Sequence, residues 1–337
     1  MSSRRDYEER EVRIRPGRTK RPRSKDRPDY SELPTAFVTT VDRGRITCNL
    51  ANGKTVTAMK ARELGKNAIV VGDLIRLDGD ISASPGTLAR AVEVQARRNY
   101  LARTVDDVGA FEKVVAANVD QLVIVISAAN PQPRHGFIAR SLAVAFDQGI
   151  TPIVVVTKCD LADPTEFLMP YRALDVVIIM SSILTAKSDR TASENSGVHD
   201  LAGLLSNKIS VLIGHSGVGK STMVNRLVGS DARATGNVND ATGRGRHTSS
   251  SAYALALPTG GWIIDTPGIR SFGLEHLDVS RIIGSFPDLA QVIASCPKLC
   301  SHDEPGCALN DISPDSSSYQ RVASLRRLLK DSGQPIT

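Results

Sequence analysis

Three things are missing from this 337-residue chain, and each absence removes a class of protein. No apolar run approaches the roughly 18 residues needed to cross a bilayer, and the opening "MSSRRDYEER" has no apolar core of the kind a secretory signal carries. A cytoplasmic protein with no membrane partner is therefore expected. Cysteine is scarce: five residues, three of them between positions 296 and 307, are too few and too clustered for a disulfide framework. Metal binding is the expected use where they gather. The body of the chain also lacks any surplus of charge. Residues 1–28 hold eleven Lys/Arg and five Asp/Glu, and the remaining 31 basic and 31 acidic residues cancel, so the net +6 lies in the tail. No internal repeat is evident, and a hydrophobic content of 41% is ordinary for packed globular domains, of which this length allows two or three.

What is present divides into four stretches. Residues 1–35 contain "RPGRTKRPRSKDRP", basic and proline-rich with almost nothing to bury, which predicts a disordered tail suited to a phosphate backbone; a merely solubilising tail is the alternative. Residues 36–98 show five short alternating segments, "AFVTTV", "RITCNL", "TVTAMK", "DLIRL" and "RAVEVQA", parted by turns such as "DRGR" and "ANGK". They predict a small β-barrel of the oligonucleotide-binding (OB) type. The segment from Arg97 to Asp120 reads as a linker. Within a domain spanning 99–272 the texture from 120 onward is α/β: apolar runs "QLVIVIS", "PIVVVT", "DVVIIM", "ISVLIG" and "GWIID" alternate with helical stretches, as in a doubly wound sheet that binds its ligand at the strands' carboxyl ends. Residues 186–200 read as an exposed loop. The last stretch, 273–337, is mainly helical around a Cys/His cluster.

Within the α/β region "GHSGVGKS" fits the phosphate-loop pattern, following an apolar strand and opening a helix. Gly214, His215, Ser216, Gly217, Val218, Gly219, Lys220, Ser221 and Thr222 are the expected nucleotide contacts. Glycines let backbone N–H groups close on phosphate oxygens, Lys220 brings a point charge, and the Ser221 hydroxyl suits Mg²⁺. The loop does not choose between ATP and GTP. "VVVTKCD" sets Thr157, Lys158 and Asp160 just after a buried strand, where the carboxylate can accept from guanine N1–H and its exocyclic amine. "WIIDTPG" places Asp265 at a strand end, to hold Mg²⁺ through water, with Gly268 to meet the γ-phosphate. In "GRGRHTSS", Thr248 is the expected Mg²⁺-sensing residue of a mobile switch. Ile269 stands where a water-orienting glutamine would be in Ras-like enzymes, so His247, flanked by Arg244 and Arg246, is the candidate to orient the attacking water; an exposed loop histidine without a role is the alternative. Cys296, Cys300, His302 and Cys307 match a closed Cys₃His tetrahedral zinc site that would staple a segment poor in large apolar residues. Cys48 and Cys159 read as small packing residues.

The guanine box and the base-lining pair Ser181 and Ser182 precede the phosphate loop, the switch and D-x-x-G. Ordinary GTPases begin with the phosphate loop. The order therefore reads as a circular permutation, which a fold with neighbouring termini tolerates.

"NVDQLVIV", "TKCD", "GHSGVGKST", "GRGRHTS", "DTPGIRSF" and "EPGCAL", in this order, resemble the RsgA (YjeQ) family of circularly permuted GTPases dependent on the small ribosomal subunit. The resemblance covers nearly the whole chain from about residue 36. It implies an OB-fold barrel, a permuted P-loop GTPase domain and a helical zinc-binding domain. It further implies hydrolysis of GTP to GDP, with Mg²⁺ and one structural Zn²⁺, by a monomer working on the small subunit and its rRNA late in maturation. One departure is that the family spacing C-x4-C-x-H-x5-C is here C-x3-C-x-H-x4-C.

Overall fold

Strands β1 (Thr35–Asp42), β2 (Arg45–Leu50), β3 (Thr55–Lys60), β4 (Leu74–Gly79) and β5 (Ala89–Val94) form the expected barrel. The structure is a computed structural model that describes residues 29–64, 69–104, 112–182, 196–229, 252–266 and 277–331. Pairing runs β1-β2-β3-β5-β4 and closes because β4 also pairs with β1. Alternate residues point inward, as a period of two requires. Ile46, Cys48, Val56, Ala58, Ile75 and Leu77 meet there in a core of their own. Cys48 is fully buried and donates to the Val56 carbonyl at 3.4 Å.

The stretch 97–120, expected as a linker, instead holds a hairpin of β6 (Tyr100–Thr104) and β7 (Glu112–Ala117). Tertiary contacts shape it. Asn118 donates to the Gly72 carbonyl at 2.9 Å, Ala117 N–H donates to Val71, and a Cβ on Gly72 would stand 2.1 Å from the Ala117 carbonyl oxygen.

Strands β8 (Gln121–Ser127), β9 (Thr151–Thr157), β10 (Val177–Met180), β11 (Lys208–Ile213), β12 (Tyr253–Ala256) and β13 (Gly261–Asp265) are ordered β10-β9-β8-β11-β13-β12. All pair in parallel except β12, which is antiparallel to β13. The continuous apolar runs follow from burial on both faces. Leu122, Ile124 and Ile126 of β8 face α1 (His135–Asp147) and α2 (Thr165–Arg172), whereas Val123 and Val125 face α3 (Ser196–Leu205) and α4 (Lys220–Val228). Residues 196–200, read from the sequence as loop, are the first half of α3, whose Leu201 and Leu205 are fully buried. The rest of that loop reading, 186–195, and the basic tail through residue 28 lie outside the described residues.

The C-terminal part comprises α5 (Val279–Gly284), α6 (Pro287–Ile293) and α7 (Ser317–Asp331). Helix α1 is buried on most sides because α7 lies on its outer surface. Val322, Leu325, Leu328 and Leu329 of α7 join one apolar cluster with the sheet. The barrel abuts the opposite end of that sheet: Thr40 of β1 pairs with Tyr253 of β12, and Phe37 stacks on Trp262 of β13 with ring centroids 5.0 Å apart.

Candidate functional site

The chain winds from β8 to β9 and β10, then returns through α3 to β11 on the other side of β8. That reversal opens a crevice at the carboxyl ends of β8 and β11, where open α/β sheets take their ligands. Residues 214–219 leave β11 and enter α4 at Lys220. Glycine is required at Gly214, since a Cβ there would lie 2.6 Å from the Val125 carbonyl oxygen. Gly217 and Gly219 have φ of 83° and 92°, the left-handed region that lets successive N–H groups turn inward. Gly219 caps α4 with no side-chain hydrogen bond, so the helix's first amides are left for an anion. His215 packs against Phe137, Val218 is buried, Ser216 and Ser221 are exposed, and Thr222 is half-buried. The cradle fits a polyphosphate.

The guanine box meets this loop directly. Thr157, the last residue of β9, is fully buried; its Oγ1 lies 2.6 Å from the Val218 carbonyl oxygen and 3.1 Å from that of Ile126, and its single proton serves both. Thus the base box is bolted to the phosphate loop. Lys158, at φ 57°, buries its stem and donates to the Asn130 carbonyl. Asp160 is exposed at the rim, free to face solvent or a base. Ser181 donates its N–H to Val156 at 2.8 Å while its buried Oγ has no hydrogen-bond partner; Ser182 follows, half-buried. Cys159, whose thiol is raised chiefly by burial, donates to the Val156 carbonyl at 3.4 Å.

Asp265 ends β13 at 5% exposure. The Lys220 ammonium pairs with its Oδ1, and the Tyr253 hydroxyl donates to Oδ2 at 2.9 Å. A buried carboxylate is tolerable only with such partners. Tyr253 was not read from the sequence, although "YALALPTGGW" carries a signal: alternation ahead of a Gly-Gly turn, with Gly260 and Gly261 at φ 83° and 87°. The expected His247, Thr248 and Gly268 lie outside the described residues.

A second centre lies beyond α6. The ligand atoms of Cys296, Cys300, His302 and Cys307 all fall within 4.8 Å of one another, able to hold a metal ion. Thiolates tetrahedrally placed about 2.3 Å from a zinc are about 3.8 Å apart. The sulfurs of Cys296 and Cys307 are separated by 3.8 Å. His302 Nδ1 is buried with no hydrogen-bond partner, as a ligand nitrogen would be. Burial, with Arg326 beside it, lowers the imidazole's pKa against the opposing pull of Glu304 and favours the neutral form a ligand needs; burial pushes the Cys300 thiol up to about 12. Arg326 of α7 grips the loop by donating to the His302 carbonyl at 2.6 Å. The shortened ligand spacing therefore still gathers all four donors.

The sequence profile of the RsgA GTPase family matches residues 94–275. A protein of Chlorobaculum parvum named small ribosomal subunit biogenesis GTPase RsgA is 33% identical over 284 residues, 82% of this chain and 87% of that protein. A protein of the same name from Pseudomonas aeruginosa is 38% identical over 243 residues, 69% of this chain and 68% of its own. Among solved structures, YjeQ from Thermotoga maritima shares the fold at a TM-score of 0.60 and 22% identity, covering 88% of this chain and 98% of that one. YloQ, described as a circularly permuted GTPase, does so at a TM-score of 0.60 and 20% identity, covering 92% and 99%. A phosphate loop bolted to a base box that precedes it in the chain, and relatives matched along most of its length, make this chain a circularly permuted GTPase of the RsgA GTPase family.

Proposed function

We propose that this GTPase engages the small ribosomal subunit late in its maturation and hydrolyses GTP to GDP and phosphate there, nucleotide state setting how tightly it holds. The observation that carries the reading is the hydrogen bond from Thr157 to Val218, which joins the base box to the phosphate loop in a chain whose relatives are named for small-subunit biogenesis. In this reading Asp160 reads guanine, Ser181 and Ser182 line the base, and Lys158 holds the loop beside it. The amides of 214–222 wrap the phosphates and Lys220 faces the outer ones. Ser221, Thr248 and Asp265 hold Mg²⁺, Gly268 meets the γ-phosphate, and His247 orients the attacking water. Zn²⁺ on Cys296, Cys300, His302 and Cys307 is structural. The tail (1–35) and the barrel (36–98) contact rRNA, the GTPase domain spans 99–272, and the zinc domain spans 273–337. The protein works as a cytoplasmic monomer.

The decisive measurement is GTP turnover with and without purified small and large subunits, for wild type and His247→Ala. Small subunits should raise turnover, and His247→Ala should cut the stimulated rate by about a hundredfold, the usual worth of a positioned acid or base, at unchanged GDP affinity. Tight binding to small subunits without turnover would make the protein an rRNA-binding assembly factor with a structural nucleotide site. Stimulation by large subunits alone would assign it to them.

A further inference from the structure

Tyr253 has two attachments that no motif of the GTPase predicts. Its backbone is paired on both sides, with Asp265 of β13 and with Thr40, a residue of the first barrel strand. Its side chain reaches along the sheet to the same aspartate and donates to Oδ2 at 2.9 Å, while Lys220 of the phosphate loop takes Oδ1. Carboxylate χ2 is a soft, broad torsion, so an Asp with one partner can swing. With Oδ2 held from the barrel side, the ring of bonds leaves Oδ1 as the oxygen turned toward the loop. Among the described residues, Lys220 and Tyr253 are the two side chains hydrogen-bonded to this carboxylate.

We propose that Tyr253 is a positioning residue: its hydroxyl fixes the Asp265 carboxylate in the orientation that presents Oδ1 to the magnesium–phosphate end of the nucleotide, and its backbone seats that orientation against barrel strand β1. The inference rests on the proposed Mg²⁺ role of Asp265. Hydrogen bonds to the far oxygen of a carboxylate that holds a metal set its basicity and aim; their loss commonly costs 10–100-fold in metal affinity where the carboxylate ligates directly, and the low end applies to one that acts through water. The ring of Tyr253 is only half-buried, so removing the oxygen alone leaves the packing in place.

The test is a Mg²⁺ titration of fluorescent GDP binding to the full chain, read as affinity rather than turnover, for wild type, Tyr253→Phe and Asp265→Asn. Tyr253→Phe should raise the Mg²⁺ needed for half-maximal tightening about tenfold, while leaving GDP affinity in excess chelator unchanged. Asp265→Asn should shift the same titration further. A Tyr253→Phe titration that superimposes on wild type while Asp265→Asn shifts overturns the positioning role alone. If neither variant shifts, the magnesium role of Asp265 falls and this inference with it. A Tyr253→Phe variant that weakens GDP equally with and without Mg²⁺ also overturns the proposal, since a merely structural residue would behave that way.

Discussion

Thr157 shows how much a single hydroxyl can settle. At the sequence level it is the first letter of a base-specificity box, yet its Oγ1 faces the carbonyl of Val218 and never needs to touch a base. Replacement by Val keeps the β-branched shape that suits β9 but strips the bond and leaves a buried carbonyl unsatisfied, at about 1–3 kcal/mol. Thr157→Val should therefore weaken GDP and GTP together by about tenfold, without relaxing the preference for guanine over adenine, in a fluorescent-nucleotide competition titration. A selective change in base preference would mean that Thr157 reads the base after all. The residues of contiguous motifs were legible because their chemistry depends on short spacing: Asp160 three after Thr157, Lys220 six after Gly214, Cys300 four after Cys296. Tyr253 was not, because its partnership with Asp265 depends on the register of two antiparallel strands.

Among elements, the strands of the sheet announced themselves as unbroken apolar runs because they are covered on both faces, and those of the barrel as alternation because one side faces solvent. The β6–β7 hairpin gave neither pattern. Val71, Asn99 and Asn118 hold it in place: Asn99 Nδ2 donates to the Val119 carbonyl at 2.8 Å and its Oδ1 accepts from Val119 N–H at 2.8 Å, a network with no period in the sequence. The cysteine loop is a third kind of element, held by no ladder and tied to the apolar cluster chiefly through Cys300, Cys307 and Leu309. Leu299 there is 88% exposed, and the loop's polar fastenings include Arg326 to the His302 carbonyl and Asn310 to the carbonyls of Glu304 and Pro305 at 2.9 and 3.0 Å. A bound metal would supply the missing cohesion. Stripping it with a strong chelator should lower the thermal midpoint and lose helical ellipticity from α6 and α7, with the sheet signal retained; Zn²⁺, but not Mg²⁺, should restore both. Because thiols must shed protons to bind, the metal should be held more weakly as pH falls. A melting curve indifferent to chelation would show that Arg326 and the packing of α7 suffice.

Across the whole molecule the question is whether barrel and GTPase sheet behave as one body. Their junction joins the Thr40–Tyr253 strand pairing and the bond from Asn118 to the Gly72 carbonyl to one aromatic contact, with a buried polar knot beside Gly72. Asp73, fully buried at the neck of the barrel, accepts from Arg97 Nε at 2.7 Å, from Arg97 Nη2 at 2.9 Å and from Val70 N–H at 2.8 Å. Phe37 of β1 stacks on Trp262, the sole tryptophan, on the strand that ends in Asp265. At the other end Asp278 N–H, at the start of α5, donates to the buried Asp147 of α1 at 3.0 Å, so α5 is pinned to a helix that covers the sheet. The barrel, by contrast, has its own core, and the knot braces the turn at Gly72 that Asn118 fastens to the sheet. Asp73→Ala removes the buried carboxylate to which Arg97 and the Val70 N–H donate, at about 3 kcal/mol. Since the Trp262 ring lies at the seam, its emission reports the junction, whereas far-UV ellipticity reports the bulk. In wild type both should follow one denaturant transition. In Asp73→Ala the Trp262 transition should move to lower denaturant and precede the ellipticity change, because the seam opens while the doubly wound core stands. Coincident transitions in the variant would instead make barrel and sheet a single cooperative unit, in which any force on β1 must reach β12 and the aspartate beside it.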